Sequence, residues 1–452
     1  MNKPFPHALT AIEAINKIND GYISVVDLVA DCLARIESTD GILKAWAHVD
    51  NKGALARAAE LDAIRRSGHA TGPLHGVPVG LKDIIDTKTM PTECGTSIFA
   101  GRQPEVNAAI VDKLTEAGAV IIGKTVTTEM AFMHPSKTCN PHDPAHTPGG
   151  SSSGSAAAVA AFQVPLAVGT QTNGSVIRPA SFCGIYGFKP TAGTISRRGI
   201  LQTSKSLDQV GVFARSMEDA ALLSDALGGY DPLDLKSFAR PRGSARKGFH
   251  EAAPVEPNLV WLDMPYDDRL TDDAREGFDE LLEALGSHVE RIPAPESFKN
   301  LIECQRVIHQ YEYVRHFDEI IETRFNELSG VLQKIVKSGQ EISDDLYAEA
   351  CSYMDAAKDF FDKFFNDYDA IIAPSAAGSA PLIGDGTGDP IFCTIWTLCG
   401  LPCLTTPLMV GANKLPIGVQ LIGNRERDDR LFRTAHWAEN FLLDEHNQTG
   451  NQ

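Results

Sequence analysis

Residues 149–190 read GGSSSGSAAAVAAFQVPLAVGTQTNGSVIRPASFCGIYGFKP. This stretch holds two serines in glycine-rich bends, Ser151 and Ser175, on either side of a run of small residues. Upstream of it, Lys82 lies in the apolar segment GVPVGLKDIID. Two hydroxyls and a lysine can carry out nucleophilic acyl transfer without a histidine base, provided that the lysine is neutral. The pattern therefore predicts an amide hydrolase.

The surroundings of Lys82 suit a lysine that acts as a base. A serine hydroxyl is a weak nucleophile and needs a neighbouring base to take its proton. Burial disfavours the ammonium form and so lowers the pKa of a lysine. The apolar neighbours of Lys82 in the sequence are Val77, Val79, Leu81, Ile84 and Ile85. We therefore expect Lys82 to be buried and to lose its proton readily.

These motifs resemble the amidase signature family, whose catalytic set is a lysine, a serine preceded by a cis peptide bond and a nucleophilic serine. The resemblance assigns these roles to Lys82, Ser151 and Ser175, and the 24 residues from Ser151 to Ser175 fit the family pattern. It extends from LTAIEAINKINDGYISVVDLVADCLARI through PLHGVPVGLKD and GAVIIGKT to DPIFCTIWTLCGLPCLTTP and LPIGVQLIG. Several motifs in this order are far more specific than one glycine-rich loop.

The resemblance implies a proton relay. Lys82 takes the proton of Ser151, Ser151 takes that of Ser175, and Ser175 attacks the amide carbonyl. The proton then returns through Ser151 to the leaving nitrogen, and water hydrolyses the acyl-enzyme. A tight glycine-containing turn can present backbone donors to the developing oxyanion. The candidate donors are the backbone N–H groups of Thr172, Asn173, Gly174 and Ser175. The family uses no metal, and we expect no cofactor.

The chain departs from the commonest family pattern at two places. Where many members have GTDTGGS, residues 169–175 read GTQTNGS, so that Gln171 replaces an acid and Asn173 a glycine. Neither change removes a backbone donor, but the hydrogen bonds around the turn must differ. After the nucleophile, SVIRP places Arg178 three residues on, where the commoner SIRxP places an arginine two residues on.

Arg178 is the main candidate for substrate specificity. A guanidinium close to the nucleophile can bind a substrate carboxylate through two parallel hydrogen bonds. Its position resembles that in family members of the malonamidase and carboxybiuret hydrolase type, which act on small amides bearing a carboxylate. A structural ion pair within the core is an equally good explanation of Arg178.

Further substrate contacts are expected from two other segments. Met133 and His134 are candidates for the acyl pocket. Gln305, His309 and Tyr313 form a polar stripe at four-residue spacing on a predicted helix, with Gln305 and His309 as candidate substrate-binding residues. A solvated helix face explains this stripe equally well.

Apolar runs typical of strands alternate with helical stretches, which predicts an α/β fold. The strand-like runs are 77–79, 119–122, 164–168, 210–213, 259–262, 370–373 and 418–422, and the helical stretches include 108–117, 217–227 and 272–285. The resemblance implies a large mixed β-sheet covered by helices on both faces. We expect one domain over residues 1–452, with a core at 60–232 and 366–440 and a variable helical subdomain at 240–365 that forms the wall of a substrate funnel.

Composition limits the partners and the location. The net charge of −18 argues against nucleic acid as a direct ligand, because phosphate binding relies on Lys and Arg. Nine cysteines without a CxxC motif fit a reducing cytoplasm. The N-terminus lacks the apolar region of a signal peptide, and no apolar run is long enough to span a membrane. His134, His142 and His146 lie in a proline-rich loop without the helical spacing of a metal-binding pair, so that no metal site is expected.

Three functions are compared. The first is an amidase that hydrolyses the C–N bond of a small organic amide, carboxylated or carbamoyl-bearing, and acts as a homodimer or with a small partner subunit. The alternative is the amidase subunit of a glutamine-dependent tRNA amidotransferase, against which the altered GTQTNGS turn and the SVIR order weigh. A catalytically silent scaffold would have lost a catalytic residue, whereas Lys82, Ser151 and Ser175 are all present.

Overall fold

The computed structural model describes residues 5–449, which form one mixed sheet of eleven strands surrounded by fifteen α-helices. The strands are β1 (Trp46–Val49), β2 (Pro78–Lys82), β3 (Val120–Thr125), β4 (Leu166–Gln171), β5 (Tyr186–Lys189), β6 (Gln209–Ala214), β7 (Leu259–Asp263), β8 (Val289–Pro293), β9 (Ala370–Pro374), β10 (Cys403–Val410) and β11 (Pro416–Ile422). The helices are α1 (Ala11–Asn19), α2 (Val25–Leu43), α3 (Asn51–Arg66), α4 (Ala109–Glu116), α5 (Ser153–Ala160), α6 (Ile177–Cys183), α7 (Met217–Leu227), α8 (Ala245–His250), α9 (Asp272–Leu285), α10 (Phe298–His316), α11 (Asp318–Arg324), α12 (Gly330–Gln340), α13 (Asp344–Phe364), α14 (Ile391–Leu398) and α15 (Asp428–Thr449).

The strands follow one another across the sheet in the order β1-β3-β2-β4-β6-β5-β10-β11-β9-β7-β8. β2 runs parallel to β3 and β4, and β7 runs parallel to β8 and β9. The remaining neighbours are antiparallel. The predicted large mixed sheet is confirmed.

Alternation along the strands explains why helices cover both faces of the sheet. In β4, Leu166 and Val168 belong to a core cluster that includes residues of α4 and α7, whereas Ala167 belongs to a second cluster with residues of α2 and α5. Successive side chains of a strand point to opposite faces. A strand that is apolar at every position therefore requires a helical layer on each side.

The predicted strands and helices correspond to observed elements, and the helical stretches 217–227 and 272–285 coincide with α7 and α9. Four strands were not predicted from the sequence, namely β1, β5, β8 and β10. β5 contains Gly187, and β10 contains Pro407 where its register with β11 shifts. Glycine and proline weaken the sequence signal of a strand, because both are uncommon in strand interiors.

The segment 240–365, predicted to be helical, also contributes β7 and β8, which form one edge of the same sheet. Its helix α10 contacts α14 next to the catalytic region. Among the described helices, none combines the length and the apolarity that a bilayer span requires.

Candidate active site

Lys82 and the turn that carries the nucleophile lie at the carboxyl ends of two neighbouring inner strands of the sheet. Lys82 is the last residue of β2, and Gln171 is the last residue of the neighbouring parallel strand β4. Ser151 precedes α5, and Ser175 lies in the turn between β4 and α6. The peptide bond between Gly150 and Ser151 is cis. The arrangement places Lys82 next to Ser151, and it places Ser175 four residues beyond the end of the strand that neighbours β2.

Lys82 is completely buried and contacts hydroxyl groups. Its Nζ lies 2.7 Å from Ser151 Oγ and 2.8 Å from Thr170 Oγ1. Burial lowers the pKa of Lys82 to about 7, and the negative charge of Asp208 opposes this effect only in part. Lys124, a second fully buried lysine, instead lies 3.2 Å from the carboxylate of Asp83. Lys82 is therefore suited to act as a neutral base close to physiological pH.

The two serines differ in exposure. Ser151 is 2% exposed, whereas Ser175 is partly exposed and lines a cavity of about 160 Å³. Within the described residues, no hydrogen bond joins Ser151 to Ser175. The structure thus contains the first contact of the predicted relay, between Lys82 and Ser151, and not the second.

All four residues of the turn from Thr172 to Ser175 line this cavity, and each has a backbone N–H group. None of the four donates a hydrogen bond to another group in the part of the chain that the structure describes. A side-chain hydrogen bond fixes the start of the turn, because Thr172 Oγ1 donates to Asp208 at 2.5 Å. Unengaged donors at a fixed turn are the feature that an oxyanion hole requires.

Arg178 lies on α6 and is 1% exposed. Its Nη2 donates to Gly150 O at 2.7 Å and to Thr387 Oγ1 at 3.4 Å. Among the described residues, Nε and Nη1 have no hydrogen-bond partner, and no carboxylate forms an ion pair with Arg178. Burial lowers the pKa of Arg178 to about 10, so that the group remains cationic at neutral pH. The part of the chain that the structure describes therefore contains no ion pair of the kind considered for Arg178.

Arg178 also lies close to the nucleophile turn. A Cβ atom built on Gly174 would lie 3.0 Å from Arg178 Nη1. Gly174 therefore allows this nitrogen to approach the turn, and both residues line the cavity that contains Ser175.

α10 forms another wall of the same cavity through Gln305 and His309, and Met133 contributes from a loop. His309 lies 3.2 Å from Thr203 Oγ1, and its ring centroid is 4.6 Å from that of Phe132. Burial lowers the pKa of His309 to about 4, which keeps the imidazole neutral at physiological pH.

In the predicted stripe on α10, Gln305 and Tyr313 are buried and His309 is half-buried. Gln305 Nε2 donates to Thr172 O at 3.1 Å, and its Oε1 accepts from Asn173 Nδ2 at 3.2 Å. Tyr313 is 1% exposed and packs in an apolar cluster with Phe132. The alternative of a solvated helix face is therefore wrong. Gln305 uses both ends of its amide to hold the nucleophile turn.

The structure does not bring His134 together with the other predicted substrate residues. His134 lines a second cavity, together with Asp83 and Glu93, whereas the preceding Met133 lines the cavity with Ser175.

Thr170 was not predicted as a site residue, although its hydroxyl accepts a hydrogen bond from Lys82 as that of Ser151 does. Thr170 follows Leu166 and Val168 on the core-facing side of β4, where apolar residues are expected. A buried hydroxyl at such a position needs a hydrogen-bond partner. This requirement could have marked Thr170 as a candidate site residue.

Known proteins resemble this chain over nearly its whole length. The model of the Amidase family matches residues 27–432. The chain is similar to a glutamyl-tRNA(Gln) amidotransferase subunit of Natranaerobius thermophilus, with 31% identity over 96% of each chain. The solved subunit of the same name from Thermotoga maritima has a TM-score of 0.81 and 29% identity, over 96% of this chain and 95% of its own.

The chain is structurally more similar to a protein solved in a second context. That structure is described as an unexpected vestigial protein complex that reveals the evolutionary origins of an s-triazine catabolic enzyme. Its TM-score is 0.91 at 29% identity, and the match covers 96% of this chain and 98% of that chain.

These relatives correct the expected partners. The sequence predicts a small-molecule amide as the ligand, without nucleic acid or membrane, and a homodimer or a complex with a small partner subunit. The exclusion of nucleic acid is wrong, because the relative from Natranaerobius thermophilus belongs to an amidotransferase named for a tRNA. A net charge summed over the whole chain does not report on which surface of an assembly meets a nucleic acid.

Proposed function

This chain is a member of the amidase family and an amide hydrolase, and on that premise we propose that it releases ammonia from a primary amide whose carboxylate Arg178 binds. The observation that carries the proposal is the buried guanidinium with two unpartnered nitrogens beside Ser175. A buried cation that lacks an anionic partner gains strongly from a carboxylate, through short charge-assisted hydrogen bonds.

In the proposed reaction Ser175 is the nucleophile. Neutral Lys82 takes the proton of Ser151, Ser151 takes that of Ser175, and Ser175 Oγ bonds to the amide carbon. The carbonyl oxygen becomes an oxyanion that accepts hydrogen bonds from backbone N–H groups of the turn 172–175. The C–N bond then breaks, the nitrogen receives the proton through Ser151 and leaves as ammonia, and water releases the acid by the same relay.

We assign this reaction to the amidase component of an amidotransferase-type complex, with glutamine as the amide. The relatives that carry the amidotransferase name support the assignment better than they support an independent amidase. Glutamine has a side-chain amide and an α-carboxylate, as the pairing of Ser175 with Arg178 requires. In this assignment α10, from the segment 240–365, forms the wall of the substrate funnel through Gln305, His309 and the neighbouring residues.

The test compares L-glutamine with its α-methylamide, which lacks the carboxylate and has the side chain as its one source of ammonia. Ammonia release from L-glutamine should fall at least about tenfold in Arg178→Lys and further in Arg178→Met, because an ammonium cannot reproduce the planar pair of hydrogen bonds. Release from the α-methylamide should change much less. Ser175→Ala should abolish both reactions.

Arg306 provides a matched control, because it lines the same cavity but is already paired with Glu303. Arg306→Lys should not distinguish the two substrates. An equal loss on both substrates in Arg178→Lys would contradict the proposed carboxylate contact.

A second candidate is a hydrolase that acts on another small carboxylated amide without an acceptor protein. It is favoured by the higher structural similarity to the chain associated with s-triazine catabolism and by the GTQTNGS and SVIRP departures. Ammonia release by the isolated chain should then be faster from malonamate than from glutamine. A preference for glutamine would exclude this candidate.

A further inference from the structure

Gln171 spans the base of the turn that carries the nucleophile. Its side chain is completely buried. Its Oε1 accepts hydrogen bonds from the backbone N–H groups of Val176, at 2.7 Å, and Ile177, at 3.0 Å. These two residues directly follow Ser175. Gln171 thus joins the end of β4 to the beginning of α6 and closes the turn between them.

The other end of the same amide reaches α14. Gln171 Nε2 donates to Thr397 Oγ1 at 2.9 Å, and Thr397 Oγ1 in turn donates to Asn173 O at 2.5 Å. The chain of hydrogen bonds therefore runs from the Gln171 amide through one hydroxyl to a backbone carbonyl within the turn. Of these three residues, Asn173 is part of the lining of the cavity that contains Ser175.

The carbonyl of Asn173 and the N–H of Gly174 belong to one planar peptide unit. In a trans peptide these two groups point in opposite directions. When Thr397 holds Asn173 O on the side of α14, the N–H of Gly174 must point the other way. Gly174 lines the cavity with Ser175, and its N–H has no other acceptor among the described residues.

We infer that Gln171, acting through Thr397, is a positioning device that orients the Asn173–Gly174 peptide so that the Gly174 N–H serves the oxyanion. The inference deepens the proposed function and rests on its assignment of the turn 172–175 as the oxyanion hole. Gln171 and Thr397 are positioning residues, since neither contacts the reacting atoms.

The donor and acceptor requirements explain why this chain has an amide at position 171. A hydroxyl has one proton, and that of Thr397 is given to Asn173 O. In its contact with residue 171, the Thr397 hydroxyl must therefore accept a hydrogen bond. Residue 171 must then have a donor group, as the Gln171 amide does. A carboxylate, as in GTDTGGS, has no donor and would draw the proton of Thr397 to itself. The Asn173 carbonyl would then lose its partner.

The experiment replaces Thr397 with Val, which keeps the shape and removes the hydroxyl, and with Ser, which keeps the hydroxyl. Loss of one oxyanion donor lowers kcat by about 10²–10³-fold, and a disordered donor should lower it by at least about tenfold. Thr397→Val should show this loss in kcat with KM changed by less than about threefold. Thr397→Ser should restore most of the rate. Gln171→Glu should resemble Thr397→Val.

Thr394 serves as the comparison, since it lies one turn earlier on α14 and donates at 2.8 Å to the side chain of Asn173, Oδ1, instead of its carbonyl. Thr394→Val should lower kcat less than Thr397→Val. Equal losses in the two valine variants would overturn the inference, and so would a wild-type kcat in Thr397→Val. A fall in melting temperature with no recovery of kcat in Thr397→Ser would also overturn it, because it would indicate a structural role only.

A second readout separates this inference from the identity of the substrate. When a fluorophosphonate probe reacts with Ser175, its phosphonyl oxygen gains negative charge and needs the same oxyanion donors as an amide substrate. The probe has no carboxylate that Arg178 could bind. Its labelling rate should fall in Thr397→Val and recover in Thr397→Ser even if glutamine is not hydrolysed. Unchanged labelling of Thr397→Val would refute the inference while leaving the glutamine assignment standing.

Discussion

At the level of single residues, Lys82 makes the reaction dependent on pH. Its burial lowers the pKa to about 7, and only the neutral amine can accept the proton of Ser151. Below this pKa the ammonium form predominates, so that kcat/KM should rise about tenfold per pH unit and level off above about pH 7. Ammonia release measured from about pH 5 to pH 9 tests this profile.

Lys82→Ala supplies the control for the same profile. Loss of general-base assistance should lower the rate by about 10²–10⁴-fold and remove the rise near pH 7. A folded Lys82→Ala protein that keeps the wild-type rate, or a wild-type profile without this rise, would show that another group is the base.

At the level of elements, α10 is anchored to the loop 203–208 by one buried carboxylate. Glu312 accepts hydrogen bonds from Ser204 Oγ, from the N–H of Ser206 at 3.0 Å and from Tyr347 OH at 2.7 Å. Glu312→Gln replaces one carboxylate oxygen by an NH₂ group, which then faces N–H or O–H groups that also donate. The free energy of unfolding should fall by about 2–4 kcal/mol, as measured by denaturant titration.

Glu303 lies on the same helix and provides the matched substitution. Its carboxylate pairs with Arg306 at the surface and is 60% exposed. Exposed ion pairs contribute about 0–1 kcal/mol, so that Glu303→Gln should change stability little. Similar stabilities of the two Gln variants would show that Glu312 does not anchor the helix.

The elements also show what the sequence could predict. β4 and α7 were predictable because the apolar residues that mark each of them lie close together in the chain. The spacing from Ser151 to Ser175 is likewise a local pattern. The contact of Gln171 with Thr397 spans 226 residues, and no local pattern reports it. His134 was misassigned to the acyl pocket region because consecutive side chains, Met133 and His134, face different cavities.

At the level of the whole molecule, the segment 240–365 should unfold together with the rest. β7 pairs with β9, and one core cluster contains Trp261 of β7 as well as Val79 of β2. Cooperative units share a core, so that heating should give one transition at the same temperature by circular dichroism and by tryptophan fluorescence. Two separated transitions, or proteolytic release of a folded 240–365 fragment, would contradict this expectation.

The strand order has a consequence for the synthesis of the chain. β10 and β11 lie between β5 and β9, so they join the half of the sheet made of β1–β6 to the half made of β7–β9. β5 ends at Lys189 and β10 begins at Cys403. A ribosome that adds 5–20 residues per second needs about 10–40 s to cover this interval. Throughout that time the nascent chain exposes the edge of β5, and later that of β9, and unpaired strand edges promote aggregation. The growing polypeptide is therefore prone to aggregation until β10 and β11 have been synthesised and have paired with β5 and β9.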